Sequence, residues 1–89
     1  MYKIKPLIWT KFSYFNEDQN YLYTSYTAMV SGGHFVIEYI GERRPWYYLH
    51  VNDGRQNFEI NHYRSLEDAK EAAQAYWNNE LEKSLVKIL

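Results

Sequence analysis

The last third of the chain constrains the fold most. From Ser65 onward, Leu66, Ala69, Ala73, Tyr76, Trp77, Leu81, Leu85 and Ile88 recur at three- and four-residue steps. That spacing lays a single apolar stripe along an α-helix. Ser65 offers a side-chain oxygen to the free N–H groups of the first turn, and Asp68, three residues on, completes a capping box with Asp in place of Glu. Glu67, Asp68 and Glu71 stand at the positive end of the helix dipole, and Lys83 and Lys87 stand near the negative end. Alanines 69, 72, 73 and 75 predict that the first half lies close to whatever it covers.

What it covers is predicted from the preceding residues. Ile4 to Phe12 reads as a first strand, with Pro6 marking an edge or an entry. The polar run Asn16 to Asn20 reads as a loop. Tyr21 to Val30 and His34 to Ile40 are rich in residues that suit a pleated surface. Between them, Ser31-Gly32-Gly33 predicts a tight hairpin in which the glycines supply positive φ. Gly41 to Pro45 breaks the pattern and reads as a charged loop. Trp46 to Val51 is the next strand, Asn52-Asp53-Gly54 the next hairpin turn, and Arg55 to Ile60 a shorter strand. The expected fold class is α+β: an antiparallel meander of four to five strands, packed against one long C-terminal amphipathic helix in a single domain over 1–89. Phe35, Ile37 and Tyr39 share one face of their strand, with Val36 and Ile40 on the other; in the next strand Tyr47, Leu49 and Val51 oppose Trp46, Tyr48 and His50, so both faces carry large apolar groups. One face must cover the helix; the other is left aromatic.

Eighty-nine residues bury one modest core. Aromatic residues make up 19% of the chain, ten of them Tyr, and there is no Cys. Disulfides, thiolate zinc sites and cysteine nucleophiles are thereby excluded. The three-residue apolar run after Pro6 is too short for a signal-peptide core, and no stretch approaches the ~20 apolar residues of a membrane span. A cytoplasmic location, with no membrane partner, is the expectation.

Catalytic, cofactor and metal motifs do not emerge. His34, His50 and His62 lack the i, i+4 spacing of a helical metal site. The serines have no nucleophile-elbow context, and Gly32-Gly33 is followed by a strand rather than a phosphate-binding helix. No enzyme and no cofactor are expected. The one basic-aromatic cluster is Arg43, Arg44, Trp46 and Tyr48, with Arg55 placed beside it across the hairpin. Arg, Trp and Tyr are enriched at protein–protein hot spots, and the same chemistry stacks the bases of single-stranded nucleic acid. An ordinary structural loop uses these residues too. A net charge of −1, with Glu42 and Asp53 flanking the cluster, favours a protein over a nucleic acid.

Residues 65 to 88 as one helix span roughly 36 Å, whereas a compact chain of this length has a radius of gyration near ~12 Å and a diameter of about 30 Å. The apolar end, with Leu85, Ile88 and Leu89, then either overhangs and docks a second copy or another protein, or bends back on the N-terminal strand.

Leu7-Ile8-Trp9, Tyr26-Thr27-Ala28, Gly33-His34-Phe35-Val36-Ile37 and Ser65-Leu66-Glu67-Asp68-Ala69-Lys70-Glu71-Ala72-Ala73-Gln74 together resemble a group of small phage- and prophage-encoded accessory proteins. Those carry an L-x-W, a Y/W-x-A, a G-x-Y-x-I strand and an S-L-E-x-A-K-x-A-A-Q helix. This chain departs at Phe35, where the pattern favours Tyr, and in the loop from Glu42 to Pro45. The resemblance implies a phage protein, acting in the bacterial cytoplasm, that binds and blocks or modulates a host protein, a component of a defence system among the candidates.

Overall fold

A computed structural model describes residues 6–18, 21–41 and 44–88, with side chains over 6–18, 22–39 and 46–81. Five strands precede one helix: β1 (Thr10–Asn16), β2 (Tyr21–Val30), β3 (Gly33–Gly41), β4 (Arg44–Asn52), β5 (Asn57–Tyr63) and α1 (Leu66–Ile88). The strands form one antiparallel sheet in the order β1-β2-β3-β4-β5, the expected meander. The helix packs across β3, β4 and β5.

Register sorts the side chains. Ala28 pairs with Phe35, Phe35 with Val51, and Ile37 with Leu49, which places all five on the helix side. Phe35, Ile37, Leu49 and Val51 are buried there against Ala69 and Ala73, with Tyr76 and Trp77 closing over Phe35 edge-on. Alanine is what lets the helix axis come so near the sheet. Of the four alanines expected to do so, Ala75 is instead exposed, because it falls on the solvent side of the stripe. At the first turn the Asp68 amide donates to the Ser65 hydroxyl at 3.0 Å, so the helix begins where the cap predicts.

Several boundaries differ from expectation. Residues 6–9 are not part of the first strand. Leu7 and Trp9 pack on the core, and the Leu7 amide donates to Gln74 Oε1 at 2.7 Å. Through these contacts the segment lies against both the core and the helix. Its apolar alternation thus serves packing rather than pairing. The loop expected at 41–45 is shorter, because Gly41 (φ 113°) ends β3 and pairs with Arg44 across a register shift. Pro45 stands near the start of β4, where a missing N–H is tolerated. β5 starts later and ends later than expected, running to Tyr63, and a bulge opposite Leu49 and His50 leaves Ile60 unpaired.

The two glycines of the first hairpin do different things. Gly32 has φ 82°; Gly33 does not have a positive φ but is crowded, since a methyl group there would overlap the Asn52 carbonyl oxygen. Gly54, with φ 91°, lies in the next turn, and a Cβ there would stand 2.8 Å from the Gly32 carbonyl oxygen. The two hairpin tips therefore touch. Asp53 organises the second tip, its Oδ1 accepting from the Arg55 and Gln56 amides, which holds its carboxyl below the usual carboxylate range. Tyr76, Trp77, Glu80 and Leu81 meet these tips across an open cleft of about 370 Å³. Beyond Leu81 the helix continues to Ile88, roughly 10 Å further at 1.5 Å per residue. The molecule is accordingly longer than a compact chain, with extents of 53 × 24 × 19 Å and a radius of gyration of 14.7 Å. The side chains of Leu85 and Ile88, and Leu89 as a whole, lie outside the described residues.

Two substitutions should separate these roles in urea denaturation. Gly33→Ala is expected to lose about 2 kcal/mol or more, since the added methyl meets backbone. Gly32→Ala faces open space and should lose only about 1 kcal/mol, from the left-handed backbone. Ser65→Ala should cost about 1 kcal/mol through the lost cap.

Candidate functional site

The sheet face away from the helix carries the aromatic excess. Alternation places Phe12 and Tyr14 of β1, Tyr23 of β2, Val36 and Glu38 of β3, and Trp46, Tyr48 and His50 of β4 on this side. The bulge at Ile60 then shifts the parity of β5, so that His62 faces Tyr48. These residues form a band that crosses all five strands.

Its first part is a polar chain. The Tyr23 hydroxyl donates to Glu38 Oε2 at 3.0 Å, and His50 Nε2 lies 3.3 Å from Glu38 Oε1. Each contact is diagonal across neighbouring strands, since Glu38 stands directly opposite Ser25 on one side and Tyr48 on the other. Desolvation, then the Glu38 hydrogen bond and charge, push the Tyr23 hydroxyl up to about 12. The second part is a cluster of rings. His62 meets Trp46 edge-on at 4.9 Å and Tyr48 at 5.8 Å, and the Arg64 guanidinium sits 5.2 Å above the Trp46 ring. At the far edge, Phe12, Tyr14 and Tyr23 form a ring series at 6.0 and 5.0 Å.

The predicted cluster is thus divided. Trp46 and Tyr48 are neighbours on one face, as expected of residues two apart in a strand. Arg55 is not beside them: it lies in the β4–β5 turn, at the opposite end of β4, about 20 Å away at ~3.3 Å per residue. Arg44 belongs to β4 rather than to a loop; its side chain, and Arg43 as a whole, lie outside the described residues. Arg64, which no sequence motif marks, and His62, weighed in the sequence only as a metal ligand, complete the cluster. The signal for them was the Asn61-His62-Tyr63 run, readable as strand only once the bulge is allowed. Tyr47, between Trp46 and Tyr48, turns to the other face and stacks on Tyr39 at 4.6 Å, where burial pushes its hydroxyl up.

In chemical terms the band presents, among the described residues, flat rings, the Arg64 guanidinium and two carboxylates, Glu38 and Glu59, the latter opposite His50. Among the described residues no group of three or more His, Cys, Asp or Glu side chains gathers to hold a metal ion. No described helix is long and apolar enough to cross a membrane. No protein-family model matches the chain, and neither a curated protein nor a solved structure matches it.

Tyr23 makes a pH prediction. Its folded value lies above the ordinary value of 10.0, so the stabilisation is complete below pH 10 and is lost as pH rises towards about 12. Tyr23→Phe should remove this component and flatten the fall in unfolding free energy over that interval. Denaturant titrations of both proteins at stepped alkaline pH measure the difference; identical slopes would exclude the linkage.

Proposed function

We propose that this chain is a non-enzymatic binding protein that meets another protein through its open sheet face. The observation that carries the reading is the cluster of Trp46, Tyr48, His62 and Arg64, continuous with the Tyr23–Glu38–His50 chain. Trp, Tyr and Arg are the residues whose burial dominates protein interfaces, and here they are held by their neighbours before a partner arrives. The rigid sheet beneath them limits the ordering cost of association. The resemblance to phage accessory proteins supports a host protein as the partner and the bacterial cytoplasm as the place, with inhibition or modulation of that partner as the outcome.

An aromatic open sheet also suits single-stranded nucleic acid. The charge argues against that reading: the chain carries a net charge of −1 and the band includes the carboxylates Glu38 and Glu59, where a phosphate backbone calls for a basic excess.

Affinity capture from host lysate with the immobilised full chain tests the proposal. One protein should be retained reproducibly, and Trp46→Ala should weaken its binding by roughly 30-fold or more, the effect of a hot spot of about 2 kcal/mol. Equal retention by the wild type and a Trp46→Ala/Arg64→Ala variant would overturn it. So would salt-sensitive binding of a single-stranded oligonucleotide in place of a protein.

A further inference from the structure

The sheet has two edges, and they are guarded unequally. β5 carries a bulge, Glu59 and a row of polar side chains, devices that discourage a further strand from pairing. β1 has no bulge and no carboxylate. It is seven residues long, contains no proline and a single charge, Lys11, and pairs with β2 in unbroken register. Its aromatic side chains are exposed on both faces: Phe12 at 60% and Tyr14 at 45% on the open side, Phe15 at 55% on the other. Leu22, opposite Phe15, adds to the latter.

We infer that β1 is the seam of a homodimer, in which the β1 strands of two copies pair antiparallel about a two-fold axis at Tyr14 and join two sheets into one of ten strands. The sequence of the edge is complementary to itself in that register. Tyr14 faces its own copy, and Ser13 faces Phe15. Lys11 falls opposite Glu17, the first residue of the turn that follows β1, and the symmetry places that pair twice. No like charges meet, whereas cross-strand aromatic and opposite-charge pairs are the favourable ones. A two-fold contact of this kind closes on itself, so the assembly stops at two. The exposed parts of Phe12, Tyr14, Phe15 and Leu22 amount to about 400 Å² per copy if each large side chain carries ~200 Å². With the backbone of the five residues Phe12–Asn16 that pair strand to strand, the total is at most about 1,000 Å², the lower bound of a specific interface, and a weak dimer, forming at micromolar concentration, is the expectation.

Sedimentation equilibrium of the full chain over a wide concentration range reads the outcome, with circular dichroism as the check on folding. The wild type should pass from monomer to dimer at micromolar concentration. Tyr14→Lys puts like charges on the axis and should weaken association by at least about 30-fold. Lys11→Glu alone should weaken it about tenfold, and Lys11→Glu with Glu17→Lys should restore it. These two positions are exposed, so the charge exchange reads the register even where Tyr14→Lys fails to fold. A monomer at high micromolar concentration would overturn the inference and leave the edge to a strand from another protein. A dimer indifferent to both Tyr14→Lys and Lys11→Glu would overturn it equally, and would place the contact elsewhere, such as the helix end. Trp46→Ala should leave the dimer intact, which separates this result from the fate of the open-face proposal.

Discussion

The close seat of Ala69 and Ala73 on Phe35, Ile37, Leu49 and Val51 is the contact on which the rest depends. A sheet this small can bury one face only, and the helix buries it along β3 to β5. Because Ala69 and Ala73 carry only methyl groups, the helix sits close enough for Tyr76 and Trp77 to meet Phe35 edge-on. Leu7 and Trp9 add to the same core, with Leu7 tied to the helix through Gln74.

The other face is a by-product of the same sorting. Period-two alternation sends Tyr23, Glu38, Tyr48 and His50 outward once Ala28, Phe35, Ile37 and Leu49 point in. Without a second layer, these side chains satisfy one another: hydroxyl to carboxylate, imidazole to carboxylate, guanidinium over indole. The band is ordered by contacts within itself. It remains open to solvent.

Features that rest on local chemistry were legible in the sequence. The helix start follows from Ser65, the two hairpins from Gly32 and from Asn52-Asp53-Gly54, and the meander from the short turns between β-rich runs. Features that rest on non-local contact were not. Residues 6–9 alternate like a strand but are drawn out of the sheet by the core and by Gln74. The bulge at Ile60 breaks the two-residue period, so the pattern of β5 is legible only as far as Ile60 and does not place His62 and Arg64 beside Trp46. Arg55 is near β4 in sequence but lies beyond the end of that strand opposite to Trp46. The crowding of Gly33 by Asn52 depends on a residue nineteen positions away and has no local signature.

The strictly sequential order of the strands bears on how the chain acquires its structure. Every strand pairs only with its immediate neighbour in the chain, so sheet formation never requires the closing of a long loop. Such a topology has low contact order and favours rapid assembly, hairpin after hairpin, in the direction of synthesis. The helix, however, leaves the ribosome after the sheet. Until it arrives, the row from Phe35 to Val51 is bare, and the growing sheet is at its most adhesive in the moment before it is complete.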